Sequence, residues 1–288
     1  MRLLVHAKIN WTLAVTGQRP DGYHLLDMLM QSITLSDTLT VDPAETLSLR
    51  VSGGGSDLPS DERNLVFRAA RLLQEETGCV RSAAIHLEKR IPSQAGLGGG
   101  SADAAAALWA LNRLWELSLP DSALEALALR LGADVPFCLR GGLCRVGGIG
   151  EKLTSLSCAP RWPLVVVRPC AGLPTAEIFR AWHAAPPGPP PQPEAVLAAC
   201  RAGDASLLPA HPGNDLEAVS IARQPEILAA CEALREAGAL CSQMSGSGSA
   251  VFGVFPDRAS AGAACRRLQA RWPGAAACET SAVPWEEF

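Results

Sequence analysis

Tyrosine occurs once in this chain of 288 residues, at Tyr23, and lysine only at Lys8, Lys89 and Lys152. Charged residues make up 19% of the chain and the net charge is −4, so there is no basic footprint with which to hold nucleic acid. No apolar run approaches the ~20 residues that a membrane helix needs, and the opening MRLLVHAKIN is too short in apolar character for a signal peptide. A cytoplasmic location is expected, with neither a membrane nor a nucleic-acid partner. The ten cysteines include no Cys-x-x-Cys pair and the five histidines no His-Glu-x-x-His, so the usual zinc spacings are excluded. The cysteines read as small buried hydrophobes.

What is present is a glycine-rich loop running into an alanine-rich helix, PSQAGLGGGSADAAAAL at residues 92–108. Gly96, Gly98, Gly99 and Gly100 let the backbone take positive φ and approach a ligand closely. Ser101 reads as the helix N-cap and Asp103 as a first-turn residue, with the run from Ala104 to Ala107 supplying high helix propensity. Unpaired N–H groups at such a helix start suit phosphate. The absence of lysine between Arg90 and Glu151 excludes a Walker A loop. A dinucleotide fingerprint fits loosely at Gly96, Gly98 and Gly100, but the glycines are crowded and no acidic strand end follows. The remaining alternative is a plain glycine-rich connection before a core helix.

Periodicity and punctuation predict strands over 2–6, 12–15, 46–51, 83–90, 161–168 and 250–255, with an apolar run at 25–35 beyond the turn Asp21–Gly22–Tyr23–His24. Helices are expected over 64–77, from the glycine loop to about 115, and over 122–131, 194–201, 225–236 and 259–272. LGADVPF at 131–137 reads as a break in which Pro136 biases Val135 towards extended geometry. Residues 185–193 form a proline-rich loop expected to be exposed. Length allows two modest domains, expected at 1–157 and 158–288.

Four further segments, AKINWTLAVTGQRPDGYH, GADVPF, LPTAEIF and MSGSGSAVFGVF, join the glycine loop in a pattern that resembles the GHMP kinase superfamily, and NDLE at Asn214 to Glu217 adds to it. The resemblance covers nearly the whole chain. It implies an α/β architecture of α+β type, with an N-terminal ribosomal-protein-S5-like domain, a C-terminal ferredoxin-like domain and both substrates in the cleft between them. It also implies ATP-dependent phosphorylation of an alcohol, here the 2-hydroxyl of 4-diphosphocytidyl-2-C-methyl-D-erythritol, a step of the non-mevalonate route to isoprenoid precursors. The alternatives are a small alcohol of homoserine or mevalonate type, or a non-catalytic ligand sensor on the same fold. Three positions depart from the family's usual pattern: Trp11 follows KIN, Gln18 precedes the DGYH turn, and Cys138 takes the place of a second phenylalanine.

The resemblance assigns roles residue by residue. Asp134 is the expected base and Lys8 its cationic partner, a pairing that would stabilise charge on the transferring phosphoryl group. Asn10 shares a face with Lys8 if the segment is extended, and would bind substrate near the reacting hydroxyl. Tyr23 and Phe179 are expected to sandwich the cytosine ring, His24 to hydrogen-bond its edge, and Thr175 to approach the diphosphate or the methylerythritol. ATP is expected at Pro92, Gly96, Leu97, Gly98, Gly99, Gly100, Ser101 and Ala102, and Ser245 to Gly248 near the glycine loop to stabilise it. Mg²⁺ should accompany ATP; Ser101 is the candidate ligand, with its capping role as the alternative. The chain is expected to work as a monomer or weak homodimer.

Overall fold

A computed structural model describes residues 1–54, 58–183 and 188–288. Two long antiparallel strands, β1 (Arg2–Gln18) and β2 (His24–Ala44), open it and are joined by the DGYH turn. The two short strands expected over 2–6 and 12–15 are thus one. Lys8, Asn10 and Thr12 are buried within it, and its register with β2 shifts between Asn10 and Thr12. Such a bulge leaves backbone groups unpaired. Gln243 Nε2 donates to the carbonyls of Asn10 and Trp11, at 3.1 and 2.9 Å, which satisfies them.

After β3 (Ser48–Gly53) comes α1 (Leu65–Thr77), capped by Asn64, whose Oδ1 accepts from Val66 N at 2.9 Å. β4 (Ser82–Lys89) pairs with β3 in parallel and with β2 antiparallel, then leads into the glycine loop and α2 (Gly99–Leu114). Ala102 and the run from Ala104 to Ala107 have almost no exposure. Side chains this small let α2 lie as the central helix, against β1 and β2 on one hand and α1, α3 (Asp121–Leu131) and α4 (Val135–Arg140) on the other. α4 corrects one expectation. Val135 opens a helix in place of an extended segment, because Pro136 sits in the first turn, where no N–H partner is required.

β5 (Leu143–Gly148) returns to β2 and is followed by β6 (Lys152–Leu156) and β7 (Pro163–Val167). The rest comprises α5 (Thr175–Trp182), α6 (Pro193–Ala202), α7 (Glu217–Arg223), α8 (Glu226–Glu236), β8 (Cys241–Met244), β9 (Val251–Val254), α9 (Arg258–Gln269), β10 (Ala276–Ser281) and β11 (Trp285–Glu287). The expected proline-rich loop lies partly outside the described residues, and its last residue, Pro193, opens α6.

The strand order β11-β1-β2-β10-β7-β9-β8 makes β10 the splice between the two halves of the chain. Its Thr280 and Ser281 pair with Ile33 and Ser32 of β2, while Ala276 to Glu279 pair with β7. Neither β10 nor β11 carries a clear alternation of apolar residues, and both escape sequence reading. Among the described residues no helix is long and apolar enough to cross a membrane.

Because α2 is packed through methyl groups with no exposed face along 104–107, added bulk there has nowhere to go. Ala106→Leu should lower the stability of the chain by about 1–3 kcal/mol, read as a fall in the urea midpoint at unchanged slope.

Candidate active site

The glycine loop owes its shape to contacts more than to intrinsic freedom. Gly96 has φ +78°, and a Cβ there would collide with the carbonyl oxygen of Ser245 in the turn between β8 and β9. Ser245 Oγ donates to Gly96 O at 2.9 Å and accepts from Asn10 N at 3.2 Å, so one hydroxyl joins the loop, the C-terminal turn and β1. Gly98 has φ +68° and a Cβ there would lie 2.9 Å from Lys8 Cγ, which makes it the point where the loop crosses the lysine stem.

Gly98 is also the cap of α2, and this corrects the expectation for Ser101. The helix starts at Gly99, since glycine takes the left-handed conformation at Gly98, and Ala102 N bonds Gly98 O at 2.8 Å. Ser101 therefore lies inside the first turn, and Asp103 lies beyond it, 2% exposed. Gly99 differs from expectation in another way: its missing Cβ makes room for Ile91 Cγ2, 2.9 Å from that position, and Lys89 Nζ, 3.3 Å from it, both groups of the protein itself.

A cavity of about 1140 Å³ runs along this loop. Lys8, Asn10, Tyr23, His24, Asp134, Thr175 and Phe179 line it, as do Pro92, Gly96, Gly98, Gly99, Gly100 and Ser101. Leu97 and Ala102 do not; their side chains are in the core, and their main-chain groups are used within the fold, Leu97 O by Lys8 N at 3.0 Å and Ala102 N by Gly98. Leu58, Pro59, Leu65 and Leu87 make an apolar arm beside the loop, flanked by Arg63 and Asn64, that carries no sequence motif. These residues come together from the approach to α1 and from β4.

Lys8 is 4% exposed, and its Nζ donates to Asn10 Oδ1 at 2.8 Å and lies 3.5 Å from Asp134 Oδ2. Asp134 is the cap residue of α4 with no capping bond from its side chain, so the carboxylate is left to Lys8 and the cavity. The expected Lys8, Asn10 and Asp134 grouping is therefore assembled.

The aromatic end is arranged differently from expectation. The ring stacked on Phe179 is His24, with centroids 4.7 Å apart and planes at 22°, and Tyr23 is 59% exposed. His24 Nε2 also meets His183 Nε2 at 2.9 Å, and burial followed by the His183 charge holds its pKa below the usual histidine value. Thr175, the first residue of α5, meets Ser247 through their hydroxyls at 2.9 Å.

The NDLE segment supports the C-terminal turn. Asn214 Nδ2 donates to Met244 O and Gly246 O, at 3.1 and 2.8 Å, and Glu217 accepts from Met244 N at 2.8 Å. Among the described residues no three or more His, Cys, Asp or Glu side chains gather as a metal site.

Residues 64–142 match the GHMP kinases N terminal domain and residues 196–274 match GHMP kinases C terminal. The chain is 46% identical over 272 residues to the 4-diphosphocytidyl-2-C-methyl-D-erythritol kinase of Pelotomaculum thermopropionicum, covering 93% of this chain and 92% of that one. It is 43% identical over 276 residues to the enzyme of that name from Moorella thermoacetica, covering 95% and 96%. A crystal structure of 4-(cytidine 5'-diphospho)-2C-methyl-D-erythritol kinase superposes with a TM-score of 0.83 at 38% identity, over 98% of this chain and 99% of the other. Homoserine kinase from Cytophaga hutchinsonii, at TM-score 0.69 and 18% identity over 99% and 96%, shares the fold.

Glu217 also bonds His211 Nε2, and that bond raises the His211 pKa above its ordinary 6.5 against the opposing effect of burial. A folded pKa above the unfolded one gives stability that is fully present below about 6.5 and lost as pH rises through the folded value. The urea midpoint of the wild type should therefore exceed that of His211→Ala by more at about pH 6 than at about pH 9. An equal difference at both would remove the charged pair from the support of this turn.

Proposed function

The chain belongs to the 4-diphosphocytidyl-2-C-methyl-D-erythritol kinases within the GHMP kinases, and from that premise we propose how its cavity phosphorylates the 2-hydroxyl of 4-diphosphocytidyl-2-C-methyl-D-erythritol with ATP. The observation that carries the reading is the buried Lys8 held 3.5 Å from Asp134 where the glycine loop crosses its stem. Phosphoryl transfer needs an in-line hydroxyl, charge neutralisation and a place for the hydroxyl proton.

Asp134 takes that proton as the oxygen attacks the γ-phosphorus and ADP leaves. Lys8, oriented by Asn10, stabilises the negative charge shared by the carboxylate and the transferring phosphoryl oxygens. The free N–H groups at the start of α2 face the ATP phosphates. The apolar arm of Leu58, Leu65 and Leu87 suits the adenine ring. Mg²⁺ enters with ATP as part of that substrate, and Ser101, an oxygen donor lining the cavity on the first turn of α2, is its candidate protein ligand.

At the other end, Tyr23 offers an exposed ring to the cytosine, beside Phe179, which lines the same cavity and is stacked on His24. His24 and Thr175 are placed for the base edge and the diphosphate. The reading takes 1–157 and 158–288 as the two domains, with one family match falling in each. It places the enzyme in the cytoplasm, as a monomer or weak homodimer. An acceptor of homoserine or mevalonate type has only likeness of fold behind it, and a pure ligand sensor would have no use for the Lys8–Asp134 pair.

ADP release from MgATP should occur with 4-diphosphocytidyl-2-C-methyl-D-erythritol and not with homoserine or mevalonate, and CDP should compete. Turnover with either of the other alcohols would discard the aromatic pocket. Asp134→Asn should lower kcat by about 10²–10⁴-fold with little change in ATP affinity, since a base acts at the transition state. Near-normal turnover in that variant would remove Asp134 from the role.

A further inference from the structure

Three charged side chains next to the glycine loop have no part in the chemistry above. Asp37 on β2 is fully buried, Lys89 is the last residue of β4, and Asp103 is on α2 just past its first turn. Lys89 Nζ donates to Asp37 Oδ2 and, at 2.6 Å, to Asp103 Oδ2. Asp37 Oδ1 accepts the main-chain N–H groups of Arg90 and Ile91, at 2.5 and 2.8 Å. Those two residues carry the chain from β4 into the loop, and α2 carries it out. One ion cluster therefore grips the glycine loop where it begins and where it ends.

The cluster is an expensive way to join a strand to a helix. Two carboxylates share one ammonium in a site with almost no exposure to solvent, and Asp103 Oδ1 has no hydrogen-bond partner among the described residues. Burial pushes the Asp103 carboxyl above its ordinary range in spite of Lys89, and the charge of Asp37 adds to the rise. Apolar side chains of similar size would hold β4 to α2 at least as firmly. What apolar packing would not provide is directional contact with the Arg90 and Ile91 N–H groups, nor an ammonium placed 3.3 Å from where a Gly99 side chain would begin. Lys89 and Asp103 both line the cavity on the side of the loop.

We propose that Asp37, Lys89 and Asp103 are positioning residues that set the glycine loop in its phosphate-binding shape before ATP arrives. The inference rests on the reading of this loop as the ATP site. A loop already shaped loses little freedom on binding, so the cluster acts on ATP affinity and leaves proton transfer at Asp134 and the cytidine end untouched.

Lys89→Met would leave two carboxylates facing each other without a cation, so the deciding variants are Asp37→Asn and Asp103→Ala. An asparagine at 37 must turn its NH₂ either to Lys89 or to the two main-chain donors, which breaks one grip at constant shape. Both variants should raise KM for ATP by about tenfold with kcat nearly unchanged and KM for the cytidyl substrate unaltered, the pattern of lost uniform binding. Asp103→Asn, which keeps an acceptor for Lys89, should recover most of what Asp103→Ala loses. Circular dichroism and the thermal midpoint establish that each variant is folded, and if Asp37→Asn is not, the Asp103 pair decides. Wild-type KM for ATP in a folded variant, or a joint loss in kcat and both KM values, would overturn the proposal. Lack of any ATP turnover by the wild type would instead sink the reading on which it rests, and the proposal with it.

Discussion

The structure turns on a close contact between two main chains, Gly96 of the phosphate loop and Ser245 of the turn between β8 and β9. The Ser245 carbonyl stands where any side chain on residue 96 would begin, and the Ser245 hydroxyl bonds Gly96 O and Asn10 N. Three segments far apart in sequence meet there, and each supplies something the site requires. β1 brings Lys8 and Asn10, the loop brings the start of α2, and the C-terminal turn brings Ser247 to Thr175. Asn214, Glu217 and Gln243 hold this junction from behind through their amide and carboxylate groups, so the polar main chain exposed by a bulge and a tight turn is satisfied without water.

Charge is distributed around that contact with evident economy. With only three lysines to use, the fold buries Lys8 beside Asp134 and Lys89 between Asp37 and Asp103. The first ammonium faces the reacting end of the cavity and the second secures the loop. Burial strengthens the Lys89 interactions, because little solvent remains to screen them, whereas the Asp134 side chain, 36% exposed, keeps its pair with Lys8 open to the cavity. A net charge of −4 does not conflict with a phosphate-binding role when the positive groups that matter are fixed, buried and local.

Much of the fold was legible before any coordinates. Helical spacing over 64–77 marks α1, alternation marks β4, and the alanine run marks α2, because each is a local signal of periodicity, pleat or propensity. Lys8, Asn10 and Asp134 were legible through their motifs. β10 was not, since AACETS alternates weakly and exists as a strand only because β2 and β7 stand on either side of it. Serine is the commoner cap and points to Ser101, whereas the cap is Gly98, whose left-handed backbone beside the Lys8 stem leaves no room for a side chain. Tyr23 and Phe179 both line one cavity, but the partner stacked on Phe179, His24, depends on how α5 lies against the start of β2.

The sequence by itself determined the kinds of group available: a glycine loop without a Walker lysine, one tyrosine, few lysines, and a helix built of methyl groups. These follow from residue identity and short-range propensity, which need no partner to act. Tertiary structure alone decided which groups meet. The Lys89 cluster joins β2, β4 and α2, the apolar arm gathers residues from the approach to α1 and from β4, and Asn214 reaches the C-terminal turn. No local pattern encodes such meetings, because a buried charge or amide is stable only once residues distant in the chain have supplied its partner and excluded water.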